Sequence, residues 1–159
     1  MLQKITPFLW FDGNAEEAAH FYVSIFKNSK ITKISRYSGA EPGPKGKIMT
    51  IGFELEGQEF TGLNGGPQFK FTEAISFAVH CKDQAELDAM WEKLSADGGE
   101  KGPCGWLKDK FGVSWQVVPQ MLMDILTRGD QDLTHRVMTK VMKMSKLDIA
   151  ALEAAAAGR

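Results

Sequence analysis

The sequence predicts an α+β fold in which one strand–helix–strands module occurs twice and is followed by short helices. Three observations carry that prediction. An apolar run, a capped amphipathic helix and alternating strands begin near residue 5 and again near residue 75. The offset of roughly 65 to 70 residues is too long for a solenoid unit and suits a duplicated module. After Pro119 the strand pattern gives way to three helical stretches. A chain of 159 residues is long enough to close a real core around such a pair.

The elements follow in order. Ile5 to Phe11 is apolar and bounded by Asp12-Gly13, which predicts a buried strand. Asn14 stands where a helix N-cap is expected, with Glu17 as its capping-box partner. Ala15, Ala18, Ala19, Tyr22, Ile25 and Phe26 then recur at helical spacing. Ser29 to Ser38 is a weaker strand, and EPGPKG, 41–46, is a turn or loop. Lys47 to Glu56 alternates: Met49, Ile51, Phe53 and Leu55 fall on one face, and Ile48, Thr50, Gly52 and Glu54 on the other. A tight turn at Glu56-Gly57-Gln58 leads into a hairpin partner, Glu59 to Asn64.

The second pass is similar. Ile75 to Cys81 predicts a strand, Asp83 with Glu86 a capping box, and Leu87, Met90, Trp91 and Leu94 the buried stripe of a helix. Asp97-Gly98-Gly99 is expected to end that helix. Gly105 to Lys108 and Val113 to Pro119 are strands joined by the turn Asp109-Lys110-Phe111-Gly112. MLMDILTRG, DLTHRVMTKVMKM and KLDIAALEAAAAG read as short amphipathic helices that pack on the sheet or on a second subunit.

Composition excludes several function classes. With formal net charge -1 there is no basic stripe for nucleic acid. The opening MLQKITPFLWF has too short an apolar run for a secretory leader, and no segment predicts a membrane span. Cys81 and Cys104 fit neither a disulfide framework nor a metal-binding pair, so a cytoplasmic protein with reduced thiols is expected.

Three runs carry a family resemblance: LWFDGNAEEAAHFYVSIF, EFTGLNGGPQFKFTEAISF and CGWLKDKFGVSWQVVP. They resemble the PhnB-like, 3-demethylubiquinone-9 3-methyltransferase-like branch of the vicinal oxygen chelate superfamily, over about residues 4 to 155. The resemblance implies two βαβββ modules forming a cupped mixed sheet, a glyoxalase/bleomycin-resistance-like fold, with the ligand held inside. Homodimers are common in that superfamily. Residues 1–120 would form the domain, with modules at 4–66 and 73–119, and residues 121–159 a helical extension.

The resemblance also implies where a divalent metal would sit: on the first, fourth, fifth and last long strands, usually held by His, Glu or Gln. Here those positions fall on Pro7 or Ile5, near Asn64, on Ala74 or Ser76, and on Gln116. Gln116 alone is a plausible ligand, so no cofactor is expected and the metal is disfavoured. His20 reads as a solvated helix residue, His135 as structural or exposed, and His80 as a residue near the cup mouth. Cys104 lacks a local base and reads as a small loop residue. By strand alternation Gln116 would point into the cup with Thr50, Asn64 and Ser76, with Trp106 at the rim and Glu54 as a base or a solvated acid; Trp10 would lie beneath the first helix. The run FTGLNGGPQFKF is followed by no capped helix, so it is a seam between modules and not a phosphate loop.

Two function classes stand: a metal-free protein that binds a small molecule in its cup, and a lyase, dioxygenase or transferase acting on an oxygen-rich or quinone-like substrate. Methyl transfer itself is disfavoured. The first strand leads into Asp-Gly-Asn, where a doubly wound S-adenosylmethionine fold needs a glycine-rich turn.

Overall fold

Six neighbouring backbone partnerships, three per sheet, organise the computed structural model, which describes residues 3–159 as two units, the first running through Phe71 and the second from Thr72 to Arg159. The first unit holds β1 (Phe8–Phe11), α1 (Ala15–Ile25), β2 (Lys30–Arg36), β3 (Ile48–Leu55) and β4 (Gln58–Asn64). Its sheet has the order β1-β4-β3-β2, with β1 parallel to β4 and the other pairs antiparallel. The second unit repeats this with β5 (Ser76–Cys81), α2 (Gln84–Leu94), β6 (Glu100–Lys101), β7 (Trp106–Lys108) and β8 (Ser114–Pro119). Its order is β5-β8-β7-β6, again with the first and last strands parallel. Three helices follow: α3 (Gln120–Thr127), α4 (Gln131–Val141) and α5 (Ile149–Ala156).

In the first unit α1 covers one face of the sheet because its inward residues are small or flat. Ala15, Ala18, Ala19 and Tyr22 are fully buried, as are Ile51 and Phe53 of β3. Tyr22 stacks on Phe53 at 5.7 Å and Phe53 on Phe60 at 5.5 Å, an arrangement that adds about 0.5–1.5 kcal/mol per pair beyond the area buried. A Cβ on Gly62 would stand 3.1 Å from that of Ala15, so glycine lets the helix approach. Glu56 and Gly57 both take positive φ, 48° and 87°, as a two-residue hairpin turn requires.

β1 begins at Phe8 and not at Ile5, and Pro7, lacking an N–H, contributes only its carbonyl to the Thr61 N–H at 2.9 Å. The strand's buried residues are Leu9 and Phe11; Trp10, with exposed Phe8, lies on the opposite face and not beneath the helix as expected. Both faces of this strand are apolar, so alternation carried no sign of which is which. Asn14 occupies the N-cap position but makes no side-chain cap bond.

In the second unit Asp83 accepts from the Glu86 N–H at 2.9 Å, while the Glu86 carboxylate accepts from the Lys82 N–H at 2.9 Å. Leu87, Met90, Trp91 and Leu94 form the buried stripe. The helix stops at Leu94, earlier than its glycines, and the hydroxyl of the C-cap residue Ser95 donates to the Trp91 carbonyl at 2.6 Å. Asp97 (φ 57°) and Gly98 (φ 111°) instead turn the chain into β6, a two-residue strand that no sequence pattern announced.

The tail is integral to this unit. α3 packs on β8 and α4 on α5, and Leu133, Val137, Val141 and Leu152 are buried. Beyond α4, the Met144 and Ser145 carbonyls accept from the Cys104 and Gly105 N–H groups, both at 2.8 Å, and the Ser145 hydroxyl donates to the Gly102 carbonyl at 2.7 Å. Leu147 is fully buried, and the Gln84 amide holds its carbonyl at 3.1 Å and the Ile149 N–H at 2.8 Å.

The two N-caps therefore differ in energy despite similar sequence. Asp83→Ala is expected to lower stability to urea by about 1 kcal/mol, whereas Asn14→Ala, which removes no cap bond, changes it by less than about half that.

Candidate functional site

Asn64 is the last residue of β4, and its side chain lies on the helix side of the sheet with Phe60 and Gly62. Its Oδ1 accepts from the Ala15 N–H at 2.9 Å, satisfying one of the donors that open α1. Its Nδ2 donates to the Ile48 carbonyl at 3.1 Å. Its main-chain carbonyl accepts from the Tyr37 hydroxyl. One residue thus joins α1, β3 and the end of β2.

The glycines that follow serve an indole. A Cβ on Gly65 would fall 2.2 Å from Cζ2 of Trp10, so only glycine admits the ring. Trp10 Nε1 donates to the Gly66 carbonyl at 2.9 Å, and its ring meets Phe69 edge-on at 4.9 Å.

Beside Asn64 opens a cavity of about 660 Å³, whose polar walls are Asp12, Glu16, Arg36, Tyr37 and Lys47. That volume is in the range of about 300–1,000 Å³ typical of small-molecule sites. Two cations and two carboxylates line it. The loop from Gly39 to Lys47 forms one wall: Arg36 donates to the Gly46 carbonyl at 3.2 Å, and the Tyr37 ring lies where a Cβ on Gly43 would be, 2.2 Å away. Sequence reasoning missed all five polar residues, since they come from a helix start, a weak strand and a loop that share no periodic signal.

Thr50 lies on the opposite face from Asn64, where its hydroxyl and that of Ser35 share a 2.5 Å hydrogen bond. A smaller cavity of about 360 Å³ opens on that face, bordered by Phe8, Lys33, Thr50, Glu59 and Thr61. Glu54, half-buried, stands farther along the same face, opposite Lys30 and Glu59 in register. In the second unit, Gln116 Nε2 donates to Ser76 Oγ at 2.9 Å, and Trp106 sits directly across from Gln116. These three residues come together on the face away from α2, as does exposed His80. Trp115 and Val117 take the buried side; Trp115 Nε1 donates at 2.9 Å to Asp109, which also accepts the Phe111 and Val113 N–H groups.

The residues at the four implied metal positions do not fit a divalent ion. Pro7 offers only a carbonyl already bonded to Thr61, Asn64 has both ends of its amide engaged, and Ser76 and Gln116 bond each other. Among the described residues no three His, Cys, Asp or Glu side chains converge. A hard or borderline cation needs several anionic or imidazole donors at one point.

The thiols differ. Burial, and then Glu86 and Asp83, push the Cys81 thiol up to about 12. Cys104 is only half-buried, with its sulfur 3.6 Å from that of Met142.

The model of the 3-demethylubiquinone-9 3-methyltransferase family matches residues 3–118, stopping short of the terminal helices that the sequence resemblance had included. Among solved structures, a Bacillus cereus PhnB protein described as a 3-demethylubiquinone-9 3-methyltransferase is 41% identical, with a TM-score of 0.64; the match covers 73% of this chain and 99% of that one. A Pseudomonas aeruginosa protein is 22% identical with a TM-score of 0.60, covering 74% of this chain and 98% of that one. An Arabidopsis thaliana gene product is 18% identical with a TM-score of 0.51, over 74% of this chain and 98% of that one, so these last two show the fold alone. No curated protein matches.

Two outcomes check this geometry. Asn64→Asp keeps an acceptor for Ala15 but turns a carboxylate toward the Ile48 carbonyl, and is expected to lower stability to urea by about 1–3 kcal/mol. At pH 8 a disulfide reagent should titrate one thiol per native chain, Cys104, and reach Cys81 only on unfolding.

Proposed function

We propose a small-molecule-binding function from one premise: the chain belongs to the PhnB-like 3-demethylubiquinone-9 3-methyltransferase family, a branch of the vicinal oxygen chelate superfamily. The reading is a binding protein that works without the superfamily's divalent metal. The observation that carries it is the engagement of Asn64. Where metal-binding members place an acid, this residue fastens α1 to the sheet, and a ligand-sized cavity opens beside it.

The cavity's chemistry favours a small polar compound carrying both acceptor and donor groups. Arg36 and Lys47 face the acceptor or anionic part, Asp12 and Glu16 the donor part, while Tyr37 and Ile48 supply apolar contact. Thr50 and Glu54 in the first unit, and Ser76, Gln116 and Trp106 in the second, are further candidate contacts on the open sheet faces. In this reading the protein acts as a cytoplasmic homodimer. Methyl transfer from S-adenosylmethionine is not proposed, because each sheet is mixed with a single parallel pair, whereas that cofactor's usual fold is a doubly wound parallel sheet.

Protein purified without chelators is expected to carry far less than one equivalent of Zn, Ni, Mn or Fe. Stoichiometric metal that disappears in Gln116→Ala would overturn the metal-free reading. In a thermal-shift screen of small amino acids, hydroxy acids and phenolic acids, a hit should persist in EDTA and weaken by about tenfold or more in Arg36→Ala.

A further inference from the structure

Two sulfurs from distant parts of the chain meet at the surface of the second unit. The Cys104 thiol lies 3.6 Å from the Met142 thioether, across 38 residues of sequence. Cys104 stands in the loop before β7, where its N–H donates to the Met144 carbonyl at 2.8 Å, and Met142 is the C-cap of α4. The clasp between this loop and the tail thus holds the backbones on either side of the sulfur pair. Neither sulfur belongs to the core. Cys104 is half-buried, and Met142 is 65% exposed while Leu133, Val137 and Val141 take the buried face of α4. A core methionine fills gaps between its neighbours, but this one leaves most of its side chain in water beside a thiol.

The surroundings select the kind of guest. Residues 102–107 and 133–147 contain no Asp or Glu, whereas the second segment carries Arg136, Lys140, Lys143 and Lys146. No three His, Cys, Asp or Glu side chains converge among the described residues. A hard or borderline divalent ion therefore lacks its donors here. A thiolate with a thioether suits a soft monovalent ion. One thiolate also neutralises such an ion, whereas a divalent ion would keep positive charge in a basic segment.

We propose that Cys104 and Met142 form a Cu(I) site. Binding replaces the thiol proton, which passes to solvent, and each sulfur donates one bond. No electron moves, because copper arrives as Cu(I). Metal–thiolate bonds run to about 2.3 Å, so an ion between the sulfurs spreads them by up to about 1 Å. The unbranched, exposed Met142 side chain can make that movement.

The test presents the reduced full-length protein, under argon, with Cu(I) as its coloured ferrozine complex. The unaltered chain is expected to withdraw one equivalent. Met142→Leu keeps the bulk, removes the sulfur at an exposed position, and should weaken Cu(I) by about tenfold or more. Cys104→Ser should leave the ferrozine complex intact. Bound Cu(I) should also protect Cys104 from a disulfide reagent, which Zn(II) at the same concentration should not do. The proposal is overturned if the unaltered chain withdraws no copper, or if Cys104→Ser still binds it. Met142→Leu binding as tightly as the unaltered chain would mark an isolated thiol and sink it too, as would equal protection by Zn(II). Neither sulfur lines the cavity beside Asn64, so this site and the small-molecule reading stand or fall separately.

Discussion

The amide of Asn64 is the fastening on which the first unit depends. A helix that opens beside the end of a parallel strand pair leaves N–H groups facing the sheet, and these need an acceptor. Asn64 supplies it while its other end donates to β3. An aspartate could do the first job only, and a leucine neither. In register, the matching position of the second unit is Pro119, paired with Cys81 as Asn64 is with Phe11. Proline can fasten nothing through a side-chain hydrogen bond, and there α2 is capped locally by Asp83. Two copies of one architecture thus secure their helices by different means. The difference frees the end of β8 to run directly into α3.

This contrast marks what the sequence made legible. The Asp83–Glu86 capping box, the alternation of β3 and the apolar stripes of both helices are local signals, and the structure follows them. Asn14 has the same local signature, yet the acceptor for α1 comes from a residue 49 positions away, a distance that no local pattern spans. Trp10 failed for another reason: with apolar residues at both parities of β1, only the packing of α1 decides the buried face. The β6 strand has two residues, too few for any period to register. Of the set expected to share the cup, Gln116 and Ser76 do meet, because strand alternation and register are enough to bring them together, whereas Asn64 turns to the helix side, away from Thr50. The Asn64 cavity was not legible, since Arg36, Tyr37 and Lys47 gather only through the path of a loop.

The glycines of FTGLNGGPQFKF illustrate how composition misleads about chemistry. Their density invites an anion-binding reading, but Gly65 exists to make room for Trp10, and Gly66 turns the chain at φ 99° while its carbonyl receives the indole N–H. The polar functions of this region sit around the run, in the carboxylates and cations of the cavity walls. Two cations and two carboxylates line that cavity, so a guest there would meet groups of both signs.

The hydrogen bonds between residues 102–105 and 144–145 have a consequence for the order in which the chain is built. Synthesis proceeds from the N-terminus, so the first unit has all its strands, its helix and its Asn64 fastening once residue 71 has left the ribosome. The second has no such early completion point. The loop leading into β7, and with it the wall carrying Trp106, waits for a segment made some forty residues later. Through that interval α2 can already cover its side of the second sheet, while the loop 102–105 lacks the carbonyls that hold it, and the tail is the closing piece.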